Sequence, residues 1–493
     1  MLFSSLAFIF AFLPLTLGSV VLGRHLFGPA GARTALTIAS LVFYGLWGWK
    51  LLIVLVGLAT FNYAVSRSLV AAPKAARGRT LVLGVVTNLL VLGVFKYANF
   101  FLENVSAVTG HSFSLAHIAL PVGISFFTFQ QIGYLVAVAN GIKPAESFRD
   151  YLLFVSCFPY VTAGPILAPR ELFSQRDEVG NVSAQRFAVG ITVFAIGLFK
   201  KGIIAEAFAP YANQLFEMPR HGLVPGGLDA WAGSWAYTLQ LYFDFSGYSD
   251  IALGLGVMLG LRLPINFNSP LRARSAIEFW QRWHITLTRF LTNYLFMPIS
   301  VNQRRKVAAR KSSRFVSFLR AYGLPVMVTF VLAGLWHGAS WTFVVFGAWW
   351  GIALSINHGW RQAHLPKPPV ALAWLLTAAA ITIGMVLFRA PDLHTATAIL
   401  GSLVRFDLTP QLAISSIAAL AIPVTALCLF APNTSQIMDG WEVSGDPSPK
   451  FTGPRIFSWR WSLRGQGLAF TVFILFALVM AGEQSSTFLY YQF

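Results

Sequence analysis

The sequence predicts an all-α, polytopic integral membrane protein, and three observations predict it. Hydrophobic residues make up 56% of the 493 and charged residues only 11%, where a soluble globule carries about a quarter charged. Apolar stretches of about 15–25 residues, long enough to span a bilayer, recur from end to end. The basic residues behind the net charge of +18 gather in short loops between those stretches, as the positive-inside bias places them. The pI near 10.2 is therefore no argument for nucleic acid, and no nucleic-acid partner is expected. Lipid is the solvent.

Met1–Ser5 lacks the positive n-region and small-residue cleavage site of a secretory signal, so Leu6–Leu22 reads as the first retained span. Ala35–Trp49, Leu51–Ala64, Leu81–Phe95 and Ile118–Ala139 follow, with basic residues of the intervening segment 66–79 marking a cytoplasmic loop. The segment Leu152–Leu167 contains Pro159 and Gly164-Pro165 and is expected to re-enter rather than span. Phe187–Phe208, Trp231–Phe243 and Ile251–Leu261 come next, and the glycines of Gly254-Leu-Gly256 predict a break. Residues 275–300 place Glu278, Arg282, Thr286, Arg289 and Asn293 on one helical stripe and Ile277, Trp280, His284, Leu287 and Leu291 roughly opposite. That pattern predicts an amphipathic interfacial helix with His284 on its apolar face.

Residues 302–320 carry Arg304, Arg305, Lys306, Arg310, Lys311, Arg314 and Arg320 with no acidic residue, as expected of a basic cytoplasmic loop against lipid headgroups. The last spans are Leu324–Trp336, Trp341–Ile356, Val370–Phe388, Leu412–Phe430 and Leu468–Met480, with a polar loop at 433–464 too short to be a domain. The expectation is about 11–13 transmembrane or re-entrant helices in a single domain over 1–493. Cys157 and Cys428 lie in apolar stretches and read as buried fillers.

His337 is the residue that points to chemistry. It interrupts the apolar run Val326–Val345, where an ionisable group costs a few kcal/mol and is rarely left without a task. Gly334 and Gly338 flank it and Ser340 follows three residues on, hence on the same helical face if the helix continues. A neutral imidazole with a pKa of about 6.5 accepts a proton from a hydroxyl at neutral pH. A proton relay in a transporter is the competing reading, though few other ionisable residues are strung across the spans. A scaffold that only recruits another enzyme is a third. His284 reads equally well as a buried structural histidine. Asp244 and Asp250, in Tyr242–Asp250, read as an inward polar network or as packing partners of basic residues. His25, His111, His117, His221, His358, His364 and His394 lie near loops or span ends and read as solvated. No phosphate loop and no metal-ligand spacing is present, so neither metal nor tightly bound cofactor is expected.

Several motifs in one order resemble the membrane-bound O-acyltransferase family, most closely its bacterial alginate O-acetyltransferase type. They are Lys96–Phe101, Leu120–Gln130, Gly197–Lys201, Tyr242–Asp250, Glu278–Leu287, Leu335–Trp341 and the terminal Phe488–Phe493. Two departures are Ala137, where relatives usually carry an aspartate, and Thr292-Asn293 ahead of Tyr294-Leu295, where they usually read Arg-Asp. The resemblance implies a thinned helical fold with a central tunnel, His337 as catalytic residue and His284 as second functional position. Asp244, Ser246, Arg282, Trp283, Trp336 and Ser340 are the expected substrate-binding or supporting residues. It further implies a multi-pass protein of the bacterial inner membrane and an acetyl-CoA or other thioester donor. A periplasmic hydrolase-like acetyltransferase would be the partner and an exopolysaccharide the acceptor. D-alanyl transfer to teichoic acid is the neighbouring alternative.

Overall fold

The computed structural model describes residues 1–446 except 112, 114–117, 309–312 and 408, together with Gly467, Thr471 and Leu489. Most of the expected span Leu468–Met480, the far part of the 433–464 loop, His117, Arg310, Lys311 and nearly all of the Phe488–Phe493 motif lie outside the described residues. Among the described residues the regular structure is helical, and the one β contact is an isolated bridge between Leu263 and Ser444.

Helix α1 (Leu13–Gly45) bends sharply at Gly28, whose φ of 66° and ψ of −161° only glycine tolerates easily, immediately before Pro29. The two expected N-terminal spans are thus arms of one bent helix. Helices α2 (Trp49–Ala71) and α3 (Lys74–Thr109) are separated by Ala72 and Pro73 alone, so the loop expected at 66–79 is almost wholly helical. After α4 (Ile124–Ala139) and α5 (Phe148–Ser156), residues 157–168 run as buried turns and then α6 (Pro169–Phe173) begins. This is the expected non-spanning segment, and its backbone at depth is enclosed by protein.

Helix α7 (Ala184–Phe199) passes through a π-turn at Lys200–Ala205 into α8 (Glu206–Glu217). Helix α9 (Gly227–Met258) is the axis of the molecule: every residue from Ala236 to Met258 is buried. The break expected at Gly254-Leu-Gly256 is absent because the glycines serve packing instead. A Cβ on Gly254 would sit 2.6 Å from the Gly190 carbonyl oxygen, and one on Gly247 2.7 Å from the Gly197 carbonyl oxygen. Paired glycines seven residues apart on both helices therefore let the α7 and α9 backbones touch, the small-residue packing of membrane helices. Two ion pairs, the first part-buried and the second buried, join the π-turn after α7 to α9, Lys200 Nζ to Asp250 at 2.6 Å and Lys201 Nζ to Asp244 at 2.5 Å.

The helix expected over 275–300 is broken. It becomes α10 (Ala276–Arg282) and α11 (Ile285–Leu291), then a π-turn and α12 (Met297–Ala308). The basic 302–320 segment is likewise mostly helical where described, with α13 (Arg314–Phe318) leading through a π-turn into α14 (Leu324–His337). Helix α15 (Trp341–Gln362) returns antiparallel to it, and His358, half-buried rather than solvated, stacks on Tyr322 at 3.7 Å. Helix α16 (Val370–Arg389), the short α17 (Leu393–Leu403), α18 (Ile414–Phe430) and α19 (Thr434–Ile437) close the described fold. Sequence reading missed α17, whose 11 residues are too few to span. Among the described residues six helical stretches are long and apolar enough to cross a membrane, including 74–109, 314–337 and 370–389.

Candidate active site

Helix α14 ends at His337 because Gly338 is extended (φ −164°, ψ 155°) and Ser340 then caps α15, accepting from Thr342 N at 3.3 Å. Ser340 therefore does not share a helical face with His337, contrary to the sequence expectation. Helix α14 runs through Gly334 without a break. A side chain there would collide with the Phe343 carbonyl, so Gly334 permits α14 and α15 to cross in contact. These crossings seat the His337 ring among Trp336 (4.8 Å), Phe388 (5.0 Å), Phe346 (5.8 Å) and Phe343 (6.3 Å).

The carbonyls at the end of α14 are held from outside the helix. Lys96 Nζ of α3 donates to the Trp336 carbonyl and, at 2.9 Å, to the His337 carbonyl. The Tyr97 hydroxyl donates to the Leu335 carbonyl at 2.7 Å. Trp341 Nε1 donates to Asn104 Oδ1, further along α3, at 3.0 Å.

A cavity of about 120 Å³ reaches this helix end. Lys96, Ser125, Phe126, Thr162, Trp336 and His337 are among its walls, together with Leu120–Ile124. Since about 10–15 Å³ of such space admits one water, the cavity has room for several waters or a small alcohol beside the imidazole. The histidine is buried, with 6% of its surface exposed, yet it is not sealed in solid packing.

His284 lies between α10 and α11 in the left-handed region (φ 44°, ψ 53°). A non-glycine residue there costs about 1–2 kcal/mol, and its neighbours over-determine the conformation. Asn266 O accepts from Ile285 N at 2.9 Å, Asn266 Oδ1 accepts from Thr286 Oγ1 at 2.7 Å, and Asn268 N donates to Arg282 O at 2.9 Å. The expected position on the apolar face of one continuous helix is thus corrected: His284 sits at the break. Its ring lies 4.7 Å from Phe245, 6.1 Å from Trp336 and 6.4 Å from Phe126. Trp336 touches both imidazoles, so the two histidines share one aromatic wall.

The other expected residues are elsewhere. Arg282 pairs with Glu278 at 2.8 Å and donates to Asn268 O at 3.1 Å, bracing the break. Trp283 packs edge-on against Phe267 at 5.1 Å. Asp244 faces Lys201 and accepts from Leu489 N at 3.2 Å, which makes it an interhelical tie. Ser246 lines a second, smaller cavity of about 10 Å³ with Lys200, Tyr242, Asp250 and Asn266. Its buried hydroxyl has no hydrogen-bond partner among the described residues. None of Asp244, Ser246, Arg282, Trp283 or Ser340 lines the His337 cavity.

Sequence reading passed over Lys96 as a site residue. The available signal was an isolated lysine directly after the apolar run Leu81–Phe95, an intramembrane charge that calls for an explanation. Among the described residues no group of three or more His, Cys, Asp or Glu side chains is placed to hold a metal.

The chain matches the model of the membrane-bound O-acyltransferase family over residues 144–390. It is 38% identical over 437 residues to a peptidoglycan O-acetyltransferase of Helicobacter pylori, covering 82% of this chain and 80% of that protein. It is 40% identical over 403 residues to a probable alginate O-acetylase of Pseudomonas aeruginosa, covering 80% and 73%. A probable alginate O-acetylase of Pseudomonas putida is 34% identical over the full length of both chains. With the buried histidines, their shared aromatic wall and the cavity between membrane helices, the chain belongs to the membrane-bound O-acyltransferase family.

Proposed function

We propose that this protein is an inner-membrane O-acetyltransferase that passes acetyl groups from a cytoplasmic thioester toward hydroxyls of an extracellular polysaccharide. The observation that carries the reading is the cavity at the end of α14, which puts His337 against open space in an otherwise apolar interior. Relatives named for O-acetylation of peptidoglycan and of alginate, similar over four-fifths or more of this chain, support acetyl and a polysaccharide acceptor.

In this reading the donor, acetyl-CoA or another acyl thioester, is already activated, so the protein's task is to supply a base and keep water scarce. His337 takes the proton of the acceptor hydroxyl as its oxygen attacks the thioester carbonyl carbon. The C–S bond then breaks and the proton passes to the departing thiolate, leaving an ester and a free thiol. His284, across Trp336, orients donor or acceptor. A periplasmic hydrolase-like acetyltransferase is the expected partner on the acceptor side.

His337→Ala is expected to lower acetate on the isolated exopolysaccharide by about 10²–10⁴-fold, the span of a lost general base, at unchanged membrane abundance. Acetylation at the wild-type level would refute the assignment. Incubating purified protein with radiolabelled acetyl-CoA and following the label into polymer tests the donor.

A further inference from the structure

A helix leaves its last four carbonyls without partners of its own, and at depth in a membrane each needs a donor. At the end of α14 three consecutive carbonyls, those of Leu335, Trp336 and His337, are met by two adjacent side chains of α3. The cation among them, Lys96, stands at the negative end of the α14 dipole, where a positive charge is favoured. Lys96 is also among the walls of the cavity that His337 lines. Gly338 is extended and Ser340 already belongs to α15. The end of α14 is therefore held from α3 as well as by the crossing with α15, and α3 also holds Trp341 through Asn104.

We propose that Lys96 and Tyr97 are positioning residues for His337, holding the last turn of α14 so that the imidazole faces the cavity. The inference rests on His337 being the base. Neither side chain is assigned contact with substrate. Each acts through the backbone carrying the histidine, with Lys96 holding two carbonyls and Tyr97 one.

Misplacing a catalytic group by about 1 Å costs on the order of 10²-fold in rate. Lys96→Met, which removes both donors at nearly constant volume, is expected to lower polymer acetylation by about that factor. Tyr97→Phe removes a single oxygen and is expected to lower it about tenfold, the scale of one net hydrogen bond. Both variants are expected to keep wild-type membrane abundance, with a melting temperature lowered by the carbonyls left without donors, more in Lys96→Met than in Tyr97→Phe. Lys96→Arg, which keeps donors toward both carbonyls, is expected to recover most of the loss, which a role in bulk packing does not predict.

The readout is acetate per mole of isolated exopolysaccharide from cells matched for protein level, with His337→Ala alongside. Wild-type acetylation in both Lys96→Met and Tyr97→Phe, with His337→Ala inactive, overturns the positioning role and leaves the base assignment standing. So does a loss that merely follows the amount of folded protein, or a Lys96→Arg as inactive as Lys96→Met. Wild-type acetylation by His337→Ala instead removes the base assignment itself.

Discussion

At the residue scale, the surroundings of the buried ionisable groups divide them into two kinds. Lys201 and Asp244 expose 7% and 2% of their side chains and meet at 2.5 Å. Removing one member of such a pair leaves a buried charge without its counter-ion, at a cost of about 3–5 kcal/mol, whereas replacing both with apolar residues is often near neutral. Asp244→Ala is therefore expected to lower the melting temperature of the purified protein sharply, and Lys201→Met with Asp244→Leu to restore much of it. If the double variant melts as low as the single one, the pair is not what Asp244 is kept for. His337 is the other kind, a histidine beside open space. From sequence alone Asp244 and His337 looked alike, as polar residues in apolar runs. Their surroundings distinguish them: Lys201, 43 residues away along the chain, faces Asp244, and a cavity reaches His337. His284 was legible as a candidate but not as a left-handed residue, because that conformation is imposed by Asn266 and Asn268 from a neighbouring segment.

At the element scale, glycine set the difference between expectation and fold. The sequence marks Gly254 and Gly256 as interruptions, yet α9 runs on unbroken: at Gly254 the missing side chain lets α7 approach, and at Gly256 it leaves room for the chain at Leu261 and Leu263. A Cβ on Gly247 would stand 2.7 Å from the Gly197 carbonyl oxygen and 2.9 Å from Lys201 N. Gly247→Leu is expected to force the helices apart and deplete the protein from membranes by several-fold, measured by immunoblot. Wild-type abundance would show that the contact carries little stability. Most span positions were legible from hydropathy. Their joins were less so, since α2 and α3 turn within two residues and α1 folds back at Gly28, neither of which leaves a polar loop to read.

At the scale of the whole molecule, α14 separates the basic segment from His337. Helix α14 begins beside the basic segment of Arg304–Arg320 and ends at His337, and α16 ends nearby, with Phe388 against the imidazole at 5.0 Å. Arg389 then donates to Asn213 Oδ1 of α8 at 3.1 Å, and Phe406, beyond α17, is fully exposed. The positive-inside bias assigns the Arg305 face to the cytoplasm. In an otherwise cysteine-free protein, Arg305→Cys is expected to react with a membrane-impermeant maleimide only in inverted vesicles, and Phe406→Cys only in intact spheroplasts. The opposite pattern would reverse the direction of acyl transfer proposed above.

The two ion pairs that tie the π-turn after α7 to α9 also bear on how the protein reaches the membrane. During synthesis, Lys200 and Lys201 emerge well before Asp244 and Asp250, and each charge alone costs about 2.5–3.5 kcal/mol at mid-bilayer by insertion scales. Neither segment is at ease among acyl chains without the other. They are best released from the translocon together, as a neutralised hairpin whose charges have already found one another.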